Sequence, residues 1–279
     1  MTIELPESPQ PSPGFNSKSA WPGLRRVLLV AVLALSSLSG ARAEGPVVAA
    51  ASDLQFALQE IAAAFESDTG QAVELTFGSS GNFARQIRQG APYHMYMSAD
   101  ERFVLDLHDD GLTRDEGALY ALGRIVIFTP HGSPLAPDGK LDDLAAALDA
   151  GRVTRFAIAN PEHAPYGMAA EDALRRRGLW EALAPALVLG ENVAQAAQFA
   201  ASGNTQGGII AHSLALAPQV AARGAFALIP EDWHAPLRQR MVLLNDAGPV
   251  AERFYRHLRT PPAQDVLRRH GFALPGEGN

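Results

Sequence analysis

An α/β fold with mostly parallel sheets is predicted by three observations: short apolar runs alternate with amphipathic segments from Pro46 onward, small polar turns follow the runs, and no repeat or flexible linker interrupts the rhythm. Val47, Val48 and the alanines 49–51 read as a buried strand, followed by a helix over 54–66 with Leu54, Leu58, Ile61 and Phe65 on one face. Val73, Leu75 and Phe77 alternate as the next strand, and a short helix over 83–89 is closed by Gly90. The rhythm continues with a strand over 94–98, a helix ending near Gly111, a strand over 124–129, a helix over 141–150 and a strand over 156–159. Helices are expected over 169–177 and 193–201, and strands over 187–189, 208–211, 226–229 and 240–244. Two helices complete the chain.

The N-terminus carries a different signal. Arg25 and Arg26 precede an apolar run over 27–38 and then Ala41-Arg42-Ala43, the pattern of a secretory signal peptide cleaved before Glu44. The run is about half of the ~20 residues that span a bilayer, so a transmembrane anchor is the weaker reading. The polar, proline-rich leader 1–23 exceeds an ordinary signal n-region and points to a start codon assigned too early. Without residues 1–43, 236 residues remain, with 19 basic and 28 acidic side chains, a net charge of −9. Such a chain is a poor partner for nucleic acid. It is long enough for one large or two medium domains, and its lack of cysteine excludes disulfides, thiolate metal sites, cysteine nucleophiles and a lipid-bearing cysteine anchor.

In open α/β sheets ligands bind where strands hand over to helices. Four such junctions carry small polar residues: Ala50-Ala51-Ser52-Asp53, Gly78-Ser79-Ser80-Gly81-Asn82, the stretch from Asn160 to Gly167, and Gly190-Glu191-Asn192-Val193. None contains Lys or Arg. If they converge, the ligand is held by backbone N–H groups, Ser hydroxyls and helix dipoles, which suits a compact, fully ionised oxyanion with four acceptor oxygens. A protonated anion such as phosphate monoanion would also want an acceptor. The serines have a second reading as helix caps: Ser52 with Gln55 forms a capping-box pattern, and Ser79 or Ser80 suits the start of the next helix. A hydroxyl can fill both roles at once, because it accepts through its lone pairs and donates its proton. Asp53 is awkward beside a dianion, so its carboxylate is expected to turn away into solvent and leave only its N–H for the site.

The ordered set Ala49-Ala50-Ala51-Ser52, Phe77-Gly78-Ser79-Ser80-Gly81-Asn82-Phe83-Ala84-Arg85-Gln86-Ile87, Gly90-Ala91-Pro92, Ser98-Ala99-Asp100, Pro161-Glu162-His163 and the segment from Tyr255 to Gly271-Phe272 resembles the periplasmic molybdate-binding component of the ABC-type molybdate transporter. The resemblance covers about residues 46–273. It implies a two-domain periplasmic binding-protein fold of type II, with two mixed, mostly parallel sheets flanked by helices and a ligand cleft between the domains. The implied domains are 44–122 plus 238–279 and 123–237, with crossings near 122–124 and 233–237. The implied ligand is molybdate or tungstate, with no cofactor, and the implied partner is an ABC permease in the inner membrane, served by a monomeric periplasmic protein that is not an enzyme. Carried over by motif, Ser52 and Ser80 donate hydroxyl and amide hydrogens from the first domain, while Tyr166 and Val193 donate backbone amides from the second. Two departures stand out. Ala211 replaces a Tyr donor common in the family, and Tyr166 stands where the family can have a small residue, so its phenol either replaces the missing donor or packs in a Pro-Tyr-Gly turn. His94 also replaces an acidic residue that similar proteins often carry.

Other chemistry lacks its motifs. The eight histidines show no short metal-ligand spacing. There is no Gly-x-Ser-x-Gly, no phosphate-binding Gly-Lys loop and no dinucleotide fingerprint. The competing functions are capture of another tetrahedral oxyanion such as sulfate, or a secreted hydrolase using Ser80 with His163.

Overall fold

The computed structural model describes residues 45–277. The signal segment and its cleavage site lie outside them. Among the described residues, ten strands form two five-stranded sheets. The first contains β1 (Val47–Ala51), β2 (Glu74–Gly78), β3 (Met95–Ser98), β4 (Ala118–Gly123) and β10 (Leu237–Leu243), in the order β2-β1-β3-β10-β4. The second contains β5 (Ile125–Pro130), β6 (Phe156–Ala159), β7 (Leu187–Gly190), β8 (Gly207–Ala211) and β9 (Gly224–Leu228), in the order β7-β6-β8-β5-β9. Each sheet has three parallel strands on one side and an antiparallel pairing of the remaining two. This is the fold of periplasmic binding proteins: two mixed sheets flanked by helices.

The amphipathic segments become helices for the reasons their spacing gives. In α1 (Gln55–Thr69), Leu58, Ile61 and Phe65 recur at helical spacing and are buried, each side chain contributing about 1.5–3 kcal/mol of transfer free energy. Gly70 ends the helix in a left-handed conformation at φ 69°. The next helices along the chain are α2 (Ser80–Arg88), α3 (Glu101–Asp109), α4 (Asp142–Asp149), α5 (Pro165–Arg176), α6 (Trp180–Leu183), α7 (Val193–Ala201) and α8 (His212–Ala215). Beyond them come α9 (Pro218–Ala221), α10 (Pro249–His257) and α11 (Pro261–Arg269). The last two return to the first sheet, where Phe254 meets Phe65 edge to face at 5.2 Å.

The chain passes from the first sheet to the second between β4 and β5 through Arg124, and returns between β9 and β10. The two crossings are neighbours, because Leu237 pairs with Gly123 across the antiparallel β10–β4 ladder. Gly123 is small by necessity: a Cβ there would lie 2.4 Å from the Tyr166 hydroxyl oxygen and 2.8 Å from Gln239 Nε2. Strand β4 was not expected as a separate element, since Ala118–Gly123 runs into the apolar stretch of β5 without a turn signal. Likewise α5 begins at Pro165 rather than near Ala169, because Pro at the first helical position is already set at a helical φ. His94 has a structural task. Its Nδ1 accepts the Val47 amide at 3.0 Å and its own amide donates to the Val47 carbonyl at 2.9 Å, which ties β1 to the start of β3.

Candidate functional site

Four strand ends deliver their following turns to one pocket. Strand β1 gives way to a single 3-10 turn, Ser52–Leu54, and β2 leads through Ser79 into α2. Strand β6 leads through a loop to α5, and β7 leads through Glu191 and Asn192 to α7. Ser52, Asp53, Ser79, Ser80, Tyr166 and Val193 line the resulting cavity, whose volume is about 10 Å³. That is room for about one water-sized sphere and far below the roughly 300–1,000 Å³ of a pocket for a drug-sized molecule, so the space suits only a small ligand.

Helix starts aim partial positive charge at the cavity, whose lining also includes the acidic Asp53. Ser80 and Val193 are the first residues of α2 and α7, and Tyr166 is the second of α5. Amides in a helix's first turn have no intrahelical acceptor, and the helix dipole places partial positive charge there. Asn192 caps α7 by accepting the amides of Ala194 and Gln195 at 3.0 and 3.1 Å, which leaves the Val193 amide outside that cap. Among the described residues, no Lys or Arg side chain lines the pocket.

The capping roles considered for the serines do not form. Neither the 3-10 turn nor α2 has a side-chain cap. Instead the Ser52 hydroxyl oxygen accepts the Ala194 amide at 3.2 Å, from the start of α7, and the Ser80 oxygen accepts the Ala99 amide at 3.0 Å. Both bonds use a lone pair, so each hydroxyl keeps its proton for another acceptor. Ser80 is also fixed from behind, since its carbonyl accepts the Tyr96 hydroxyl at 2.8 Å.

Ser79, read from the sequence only as a candidate helix cap, lies 2.8 Å from His163 Nδ1. Gly81 donates its amide to the His163 carbonyl at 2.9 Å, and a Cβ on Gly81 would come within 2.7 Å of that oxygen, so only glycine permits this approach. Glu191 accepts from Asn82 and stands 3.7 Å from His163 Nε2. His163 therefore holds the loop before α5 against the start of α2. The Ser80–His163 pair that a hydrolase would need is absent. The Ser79–His163 contact has no carboxylate within hydrogen-bond reach of the other ring nitrogen to orient a base.

Asp53 and Tyr166 behave differently from expectation. Asp53 is not solvated: it is 1 % exposed, and its Oδ2 accepts the Tyr166 hydroxyl at 3.0 Å and Gln239 Nε2 at 2.7 Å. Its Oδ1 has no partner. Burial raises the Asp53 pKa to about 6 from 3.8, against the opposing pull of the bonds from Gln239 and Tyr166. The Tyr166 phenol, considered as a ligand donor, is instead committed to Asp53; a phenol has one proton to give. Burial, and then the Asp53 carboxylate, push the Tyr166 pKa well above its ordinary value. Tyr120 completes the group by donating to Gln239 Oε1 at 2.8 Å. Ala211 does not line the pocket. It is fully buried in β8 opposite Ile125, and two residues on, the Ser213 hydroxyl donates to the Asp53 carbonyl at 2.9 Å.

Gln239 is the residue the sequence offered but the reading missed. In Leu237-Arg238-Gln239-Arg240-Met241 it occupies an inward position of a strand between two apolar residues, where a polar side chain needs a partner.

Known proteins share this chain's sequence pattern and fold. Residues 46–273 match the bacterial extracellular solute-binding protein family. The molybdate-binding protein ModA of Azotobacter vinelandii is 34 % identical over 250 residues, 88 % of this chain and 97 % of that protein. The ModA of Rhodobacter capsulatus is 34 % identical over 254 residues, 90 % of this chain and 95 % of that protein. The solved structure of the Azotobacter vinelandii periplasmic molybdate-binding protein superimposes with a TM-score of 0.73 at 29 % identity, covering 82 % of this chain and 99 % of that one. The chain belongs to the bacterial extracellular solute-binding proteins, in the family that includes the ModA molybdate-binding proteins.

Proposed function

We propose that this protein captures molybdate, and with it tungstate, in the pocket between its two sheets and delivers the anion to an ABC permease in the inner membrane. The observation that carries the reading is the convergence of three helix starts and two proton-bearing serines on a small pocket without a cation. Such a site stabilises charge through fixed dipoles and rewards an anion whose oxygens match the donors. In this reading Ser52 and Ser80 donate hydroxyl and amide hydrogens, and Asp53, Tyr166 and Val193 donate amides. The segments 44–122 with 238–279 and 123–237 act as domains that close over the ion by bending at Gly123 and before Leu237. The protein works as a monomer in the periplasm, exported by its N-terminal signal. The relatives named as molybdate-binding proteins support the choice of ligand. Sulfate is smaller and would leave donors unpaired.

Thermal unfolding with a panel of oxyanions tests this. A ligand at 100 times its dissociation constant adds about 2.7 kcal/mol, which for a chain of this size raises the midpoint by about 5–10 °C. Molybdate and tungstate are expected to produce that shift and sulfate a much smaller one. A shift with sulfate alone would remove the molybdate assignment.

A further inference from the structure

Asp53 is the feature of the pocket that anion capture by neutral donors does not explain. Asp53 lines a cavity that, in the reading above, holds a dianion, and its carboxyl group is buried. The groups around it are fixed in direction. Tyr120, from β4, donates to Gln239 Oε1, which turns Gln239 Nε2 on β10 toward Asp53 Oδ2 at 2.7 Å and the Tyr166 oxygen at 3.1 Å. Tyr166, from α5, donates its proton to the same Oδ2 at 3.0 Å. Ser213, from α8, reaches only the backbone carbonyl. The titratable side chains facing Asp53 are thus Tyr120 and Tyr166, whose pKa values burial drives well above the ordinary phenol range. No Lys, Arg or His is bonded to its carboxylate among the described residues, and His163 faces Ser79 instead. Both side-chain donors of this network end on Oδ2, and no side chain bonds the buried Oδ1, although the backbone amides of Asp53 and Leu54 lie near the carboxylate.

We propose that Asp53 Oδ1 shares one proton with an oxygen of the bound oxyanion, so that this protein takes up its anion together with a proton. The inference rests on the oxyanion reading of the same pocket and adds to it. An ionised carboxylate and a dianion in one water-excluded cavity without a counter-cation repel strongly. A single proton removes the repulsion. It comes from solvent and bonds either to Oδ1, making Asp53 a donor to the dianion, or to the anion, making Oδ1 its acceptor. The proton count is the same in both cases, and no bond of the Oδ2 network has to break. The raised pKa of the empty site fits, since Asp53 is already a weak acid before the second charge arrives.

Calorimetric titration of the purified protein with sodium molybdate at pH 7.5, in two buffers of different ionisation enthalpy, counts the protons directly. About one proton taken up per anion is expected, with affinity falling about tenfold for each pH unit above 7, because one proton is then linked to binding. In Asp53→Asn the amide Nδ2 can donate where Oδ1 stood, so uptake near zero and a flat pH profile are expected. Binding by the unaltered protein without proton uptake overturns the inference and leaves the oxyanion reading standing. Equal uptake in Asp53→Asn overturns it too, by placing the proton elsewhere. Should the variant fail to fold, the proton count of the unaltered protein decides alone. No binding of molybdate, tungstate or sulfate removes the reading and the inference together.

Discussion

Replacing Ser52 and Ser80 together by Ala is expected to weaken molybdate binding by between about a hundredfold and ten-thousandfold, since each hydroxyl bond to a charged partner contributes about 1.5–3 kcal/mol. The two serines also differ in what they do for the fold. Ala194 keeps Asn192 Oδ1 as an acceptor at 3.0 Å when Ser52 is lost. Among the described residues the Ala99 amide donates to the Ser80 oxygen alone, so Ser80→Ala leaves a buried amide unpaired, at about 1–3 kcal/mol. Calorimetric titration paired with urea unfolding separates the two effects. Ser52→Ala should lose affinity with nearly unchanged stability, and Ser80→Ala should lose both. Unchanged affinity in the double variant would mean that neither hydroxyl reaches the ligand.

The second large effect is a dependence of the empty protein's stability on pH. The Asp53 pKa is raised in the folded protein to about 6 from 3.8, so the fold binds this proton more tightly than the unfolded chain does. The contribution of Asp53 is therefore greatest below pH 4, declines as pH rises toward 6, and is lost above it. A rise of about two pH units corresponds to about 3 kcal/mol. Other carboxylates act in the opposite sense: Glu60, hydrogen-bonded by His270, is held below its ordinary value. The Asp53 share is isolated by difference. Relative to the unaltered protein, Asp53→Asn should gain stability as pH rises from about 4 to 6 and hold the gain above it, as read from urea unfolding of the ligand-free forms. A constant difference across that range would contradict a buried, titrating Asp53. A site that is less stable empty than with its residue neutralised is what a binding pocket held ready for charge predicts.

The fold was legible in the sequence wherever periodicity and turn chemistry agreed. Leu58, Ile61 and Phe65 mark α1, and Gly70 ends it. Strand β4 was not legible, because Leu122-Gly123-Arg124-Ile125 joins two strands of different sheets with no turn residue that demands a break other than a glycine, whose reason is the Tyr166 hydroxyl beside it. The candidate site was legible as a set of strand ends, and Ser52, Ser80, Tyr166 and Val193 do line one pocket. Where side chains point was not legible. Local spacing suggested that Ser52 caps its own turn, yet its bond goes to Ala194, 142 residues away. Asp53 looked solvated beside a run of small residues, and only the distant Gln239 on β10 and Tyr166 on α5 give its carboxylate partners. Long-range pairing of this kind is set by the way the two sheets face each other, which no short window of sequence contains.

Anomalous diffraction from a crystal grown with molybdate and measured above the molybdenum absorption edge tests the central claim most directly. One strong peak is expected in the pocket, within hydrogen-bond range, through its oxygens, of the Ser52 and Ser80 hydroxyls and the Tyr166 and Val193 amides. A fully occupied peak elsewhere, or none in the pocket at saturating molybdate, would contradict it.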